Sequence, residues 1–149
     1  IILLVALIPL TRLVVGTAIG TNAAIVPLVF YAGPSIARLV ENSLLEVDKG
    51  IIEAAQSMGA TEWQIIFRFL IPEGLSSLVL TFTTATIGLV GASAMAGAVG
   101  AGGVGDLALT YGYQRFDTVT MIVTVTALVI IVQLLQSIGN TLARKIRRR

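Results

Sequence analysis

The 149 residues include no cysteine and no histidine. The first absence rules out disulfides and thiolate metal sites, and it leaves the redox compartment unread. The second removes the commonest general base and the imidazole metal ligand. Charge is scarce too, at 12% of residues, against about a quarter in a soluble domain. So few charged side chains can hardly cover a water-facing surface, and none of the carboxylates falls within the long apolar runs. A catalytic role for the chain is therefore disfavoured. What it has in abundance is apolar: hydrophobic residues make up 56% and the mean hydropathy is +0.94. They fall in long blocks rather than amphipathic stripes, the pattern of a bilayer-spanning protein.

The blocks divide the chain. Residues 1–10 are apolar but too short to cross about 30 Å of hydrocarbon, and they lack the basic start of a signal peptide. They read as the end of a membrane helix whose beginning is missing. A polar, Gly-rich stretch over 11–21 follows, a short loop or a helix end. Residues 22–40 form a first full span, with Pro27 and Pro34 inside it and Arg38 near one end, where its stem can reach the headgroups. Residues 41–74 are the hydrophilic block and hold six of the eight acidic residues. Two short helices are predicted there. One runs from an Asp48 N-cap to Met58 and stops at Gly59, with Ile51, Ala55 and Met58 on one face. The other opens at Thr61-Glu62-Trp63-Gln64, a capping-box pattern, and ends before Pro72. Residues 75–98 and 118–139 are two further spans, the latter capped by Asp117-Thr118. Between them, 99–117 read as a polar, aromatic loop, and 140–149 as a basic tail.

Half of the ten basic residues are Arg144, Lys145, Arg147, Arg148 and Arg149. Beside an apolar helix they point to a cytoplasmic anchor at anionic headgroups rather than to nucleic acid. With the tail inside, two intervening spans place 41–74 inside as well, and 99–117 and 11–21 outside. The inside block is itself net acidic, a mild conflict because acidic residues count little in the positive-inside rule.

The informative segment is Glu53-Ala54-Ala55, then three residues, Gly59, nine residues, and Phe69-Leu70-Ile71-Pro72. A short helix with small side chains lets its backbone approach a partner closely. Gly59 permits a sharp turn, Pro72 fixes the exit toward the membrane, and Glu53 supplies a charged contact or a cap. An ordinary amphipathic interfacial helix is the plainer reading of Glu-Ala-Ala alone. The full spacing resembles the EAA signature of the inner-membrane subunits of bacterial ABC importers, with Phe69 and Ile71 where Ile and Leu are usual.

Further segments are similar to the methionine-import permeases: Pro9–Arg12, Ala24–Pro27, Ile36–Asn42, Ala92–Gly100, Gly102–Leu107 and Tyr111–Phe116. The resemblance covers essentially the whole chain. It implies an all-α, polytopic transmembrane bundle of the type I ABC importer permease kind, with short cytoplasmic coupling helices. It also implies a five-helix subunit, here without its first helix and most of its second, that pairs with a copy of itself. Further implied partners are two cytoplasmic ABC ATPase subunits and an extracytoplasmic methionine-binding protein, with membrane lipid around the spans. ATP and Mg would be bound by the partner ATPase, with no cofactor and no metal in this chain. The expected location is the bacterial cytoplasmic membrane with the C-terminus inside, and the expected activity is import of D- or L-methionine by alternating access. The rival readings are a permease for another amino acid or an osmolyte, and a scaffold or channel with no ATPase.

On these expectations the ATPase-coupling residues are Glu53, Ala54, Ala55, Gly59 and Pro72. The small-residue run Gly88–Ala98 reads first as close helix packing. A second reading has it line the substrate path, with Ser93 and Met95 as candidates. Thr81, Thr83, Thr84 and Thr86 are expected to bond back to their own helix. Tyr111, Tyr113 and Phe116 suit an outer aromatic belt or contact with a binding protein, and Trp63 an inner counterpart. Gly100–Gly105 matches G-x-G-x-x-G, but it follows a membrane span where the dinucleotide fingerprint requires a strand, so a turning loop is expected.

Overall fold

The computed structural model describes residues 2–17, 20–97 and 100–147. The expectations for Ala98, for Arg148 and Arg149, and for the ends of the flanking segments at residues 1, 18, 19 and 99 lie outside these. Within the described residues the chain is helical: α1 (Ile2–Ala6), α2 (Ile8–Val15), α3 (Thr21–Leu45), α4 (Lys49–Ser57), α5 (Glu62–Ile65), α6 (Ile71–Gly97), α7 (Val104–Leu107) and α8 (Thr118–Arg147). Two π-helical segments, Ile66–Leu70 and Ala108–Tyr113, follow α5 and α7 without a break. Among the described residues three stretches are long and apolar enough to cross a membrane: Thr21–Leu45, Glu62–Gly97 and Thr118–Arg147. Large apolar side chains lie open along them, among them Val29, Phe82 and Ile122, as expected for surfaces that meet lipid or other protein chains.

Several helices differ from the sequence expectation in where they end. α3 continues five residues past Val40 because nothing between Glu41 and Leu45 breaks a helix. Arg38 and Glu41 pair at 3.5 Å across one turn, and the Ser43 hydroxyl donates to the Leu39 carbonyl at 3.0 Å. The expected helix break before Pro72 is absent: residues Glu62–Gly97 form one uninterrupted helix. A proline ring clashes with the carbonyl four residues back and cannot donate to it. Here the π segment Ile66–Leu70 lies immediately upstream, with the Ile71 N–H reaching back to the Ile66 carbonyl. Its wider turn makes room for the ring at Pro72. The expected tail over 140–149 is largely helix, since α8 runs to Arg147, and Arg144, Lys145 and Arg147 sit on its last turn. Cations there complement the C-terminal end of the helix dipole. Helix also occupies Thr11–Val15, ending at Gly16.

The chain forms two compact units. The first comprises Ile1–Pro34 and Thr86–Leu135. In it the expected loop over 99–117 is helical from Val104 to Tyr113. After a turn through Gly100, Gly102 and Gly103, all at positive φ, α7 lies against the end of α6. The approach is backbone to backbone. A Cβ on Gly105 would stand 2.7 Å from the Ala94 Cα, and one on Gly97 2.8 Å from the Gly105 carbonyl carbon. The start of α3 is tied to the same turn: Gly20 N–H donates to the Gly100 carbonyl at 3.2 Å and the Thr21 hydroxyl to the Ala101 carbonyl at 3.1 Å. Asp117 caps α8, its Oδ1 accepting from the Val119 and Thr120 N–H groups at 3.1 and 3.3 Å and its Oδ2 from the Thr120 hydroxyl at 2.6 Å.

The second unit comprises Ser35–Ala85 and Gln136–Arg149. Hydroxyl groups and glycines fasten it. Ser43 on α3 shares a hydrogen bond with Thr81 on α6, so Thr81 bonds across helices where a bond to its own helix was expected. Thr83 and Thr84 do bond back, to the Val79 and Leu80 carbonyls at 2.7 and 3.0 Å. Ser76 donates to the Ala143 carbonyl on α8 at 3.2 Å, and Gly139 on α8 packs directly on the Thr83 side chain.

Candidate functional site

The segment that carries the Glu-Ala-Ala spacing folds, within the second unit, as α4, a turn and α5. Asp48 opens α4, its Oδ1 accepting from the Gly50 N–H at 2.8 Å. The helix then turns one face inward: Ala55 is 0% exposed, and Ile51 and Ile52 are half-buried. Glu53, Ala54 and Ser57 lie exposed. The two adjacent alanines are thus distinct: Ala55 is a packing residue, while Ala54 stands on the open surface beside Glu53. Met58, expected to share the inward face, is the C-cap residue and lies exposed.

Gly59 closes α4 at φ +77. Its N–H donates to the Gln56 carbonyl at 2.9 Å and the Ala60 N–H to the Ala55 carbonyl at 3.1 Å. This pair of bonds is the Schellman termination, which needs the left-handed conformation that glycine adopts without a Cβ penalty. α5 starts at once, with the Thr61 N–H donating to Gln64 Oε1 at 2.9 Å. Ile65 is buried, while Trp63 and Phe67, one turn apart, stack at 6.0 Å and stand exposed. Phe67 was not singled out from the sequence. Its i, i+4 spacing from Trp63 was the available signal.

The path candidates separate. In the first unit Met95 lines an apolar cavity of about 250 Å³ together with Gly88, Gly91 and Ala92 of α6 and Pro27 and Leu28 of α3. Ser93 lies outside that lining, exposed, with its hydroxyl donated to the Val90 carbonyl at 2.8 Å. On the segment between α6 and α8, the Arg115 guanidinium sits 4.6 Å from the centre of the Tyr111 ring. Tyr113 and Phe116 are exposed there, and Phe116 adopts φ +55.

A chain that is helical without strands among its described residues, with three apolar spans there interrupted by a capped pair of short helices at the Glu-Ala-Ala spacing, has the architecture of an importer's membrane subunit. Over residues 1–149 the chain matches the family of binding-protein-dependent transport system inner membrane components, and it belongs to that family. It is 53% identical, over 99% of its length, to the probable D-methionine transport system permease protein MetI of Vibrio cholerae. To the methionine import system permease protein MetP of Bacillus subtilis it is 45% identical, again over 99%. It spans 66% and 67% of those two relatives. Among solved structures it is similar to a chain of the MetNI methionine ABC transporter in inward-facing conformations. The TM-score is 0.93 and the identity 51%, covering 97% of this chain and 67% of that one. The fold is that of a type I ABC importer permease.

Proposed function

We propose that the chain is the transmembrane part of a methionine importer's permease. It carries D- or L-methionine across the bacterial cytoplasmic membrane by alternating access, with the C-terminus inside. The observation that carries this reading is the likeness to MetNI at TM-score 0.93 and 51% identity over 97% of the chain, beside a family match whose range takes in the Glu53–Pro72 segment. In this reading the permease pairs with a second copy of itself, two cytoplasmic ATPase subunits hydrolyse ATP, and an extracytoplasmic binding protein delivers methionine.

The α4 segment is where the ATPase subunits act on the permease. Glu53 and Ala54 make the contact, and the buried Ala55 seats the helix on its own subunit. Gly59 sets the turn into α5, and Pro72 lies where α5 and its π segment pass into α6. Met95 lines the substrate path, where a polarizable thioether suits a methionine side chain. The test is uptake of radiolabelled methionine by a strain that depends on this permease, together with capture of the ATPase by the detergent-extracted complex. Uptake, lost with Glu53→Lys along with ATPase capture, supports the reading. Uptake of an osmolyte or another amino acid in place of methionine overturns the substrate, and capture unaffected by Glu53→Lys overturns the coupling role.

A further inference from the structure

Two cavities adjoin in the second unit, where the end of α3, the start of α6 and the end of α8 meet. One, of about 460 Å³, is lined by Ser76, Leu80, Asn140, Ala143, Arg144 and Arg147. The other, of about 470 Å³, shares Ser76, Leu80 and Arg147 but carries Glu46, Asp48 and Glu73. The first thus presents hydrogen-bond donors and positive charge, the second negative charge, with Arg147 on the boundary. Neither Arg144 nor Arg147 forms an ion pair among the described residues. The Ser77 hydroxyl donates to Glu46 Oε2 at 2.7 Å, which holds that carboxylate on the wall and leaves lone pairs for a further donor.

The charge pattern selects the ligand. A simple anion would gain from two guanidiniums and lose to three neighbouring carboxylates, and a simple cation faces the reverse. A group with both signs a few ångströms apart satisfies both cavities. The location selects its source: all three elements are the ends of apolar spans, so the cavities lie at the level of the lipid headgroups, where basic pockets between spans take phosphate. We propose that the adjoining cavities form one site for the headgroup of a zwitterionic aminophospholipid. Its phosphate meets Asn140, Arg144 and Arg147, and its primary ammonium meets Glu46 and Glu73. A quaternary ammonium has no N–H to donate to those carboxylates, so a choline headgroup is the poorer ligand. The inference rests on α3, α6 and α8 being membrane spans.

The assembled permease, reconstituted in equal parts phosphatidylethanolamine, phosphatidylcholine and phosphatidylglycerol, is extracted and its retained lipid measured by native mass spectrometry. Phosphatidylethanolamine is expected to be enriched about fivefold over each of the others, the ratio that one exposed ion pair supports. Glu46→Gln with Glu73→Gln is expected to abolish the phosphatidylethanolamine excess, because the carboxylates read the ammonium, and Arg144→Gln with Arg147→Gln to lower retention of all three lipids, because the phosphate is common to them. Glutamine at position 46 still accepts from Ser77, and an unchanged melting temperature verifies that each variant folds. Phosphatidylglycerol retained as well as or better than phosphatidylethanolamine overturns the proposal, as does an enrichment that the carboxylate double variant leaves intact or a total retention that the arginine double variant leaves unchanged. Methionine uptake in vesicles of the same lipids is read in parallel. Uptake without any enrichment sinks the lipid site alone, whereas stable insertion without uptake sinks the transport reading alone.

Discussion

Ala54 and Ala55 are chemically identical neighbours, and the structure gives them opposite surroundings. Replacing each with leucine tests that assignment directly. Helix propensity differs little between alanine and leucine, so that effect cancels in the comparison. At Ala55, which is 0% exposed, three added carbons enter a site with no free surface. Overpacking of this kind costs about 1–3 kcal/mol. At Ala54, which is exposed, the same carbons extend outward, and such a surface change stays within about 0.5 kcal/mol. Thermal melting of the detergent-extracted permease, followed by size-exclusion fluorescence, should therefore drop clearly for Ala55→Leu and hardly move for Ala54→Leu. Capture of the ATPase should show the opposite selectivity: Ala54→Leu weakens it in a permease that melts like the parent. An Ala55→Leu protein that melts like the parent, or two variants equally destabilised, would refute the inward orientation of α4.

The turn and the close contacts make sharp predictions of their own. Gly59→Ala forces a Cβ into the left-handed region at φ +77 and should cost about 1–2 kcal/mol, measured as a lower melting temperature with α4 exchanging amide hydrogens faster. Gly105→Ala should be harsher than Gly102→Ala, because only the first puts a methyl into the Ala94 backbone; equal melting temperatures would count against the α6–α7 approach. The hydrogen bonds from Thr120 and Val119 hold the Asp117 carboxyl below its usual 3.8. A depressed carboxylate contributes stability that is present above the unfolded value and lost as pH falls through the folded one. Amide exchange at Val119 and Thr120 should therefore be flat with pH above 3.8, once corrected for intrinsic rates, and lose protection only below it. Asp117→Asn should remove the acid-dependent part.

What the sequence made legible was whatever residue type decides. The apolar blocks marked three spans because a bilayer accepts little else, and Asp48 and Asp117 announced their helix starts because a short carboxylate there has a backbone N–H to meet. The inner face of α4 was legible in part: Ile51 and Ala55 share it as their i, i+4 spacing implies, but Met58 does not, because the helix ends at Ser57 and Met58 is its cap. The continuity through Pro72 was missed because proline is read as a break, and its compensation, a π segment of ordinary residues Ile66–Leu70, has no composition of its own. Thr81 was grouped with Thr83 and Thr84 on one rule, yet a partner hydroxyl on Ser43, remote in sequence, takes it across to α3. Met95 and Ser93 differ for a similar reason. Two residues apart on a helix point about 200° from one another, so only one of them can face the cavity.

The fastening of the second unit bears on how α4 would transmit work in the proposed coupling. In lipid the hydrophobic effect gives helices no reason to associate, so packing and hydrogen bonds must hold them. Here the Ser43–Thr81 bond joins α3 to α6, and Ser76 with Gly139 joins α6 to α8. Gly74, at the start of α6, seats against Val47 and Leu44, at 3.3 and 3.5 Å from where its Cβ would stand. Val47 directly precedes Asp48, the cap of α4. A push on the exposed Glu53 face therefore meets a short helix whose inner face is filled at Ala55. The residue before its cap rests on a glycine of α6, which is itself bonded to both neighbouring helices. None of these contacts relies on long, adaptable side chains that could absorb a displacement by changing rotamer. In the coupling role proposed for α4, load applied there would pass through backbone and small side chains, the physical use that reading gives to alanine and glycine at these positions.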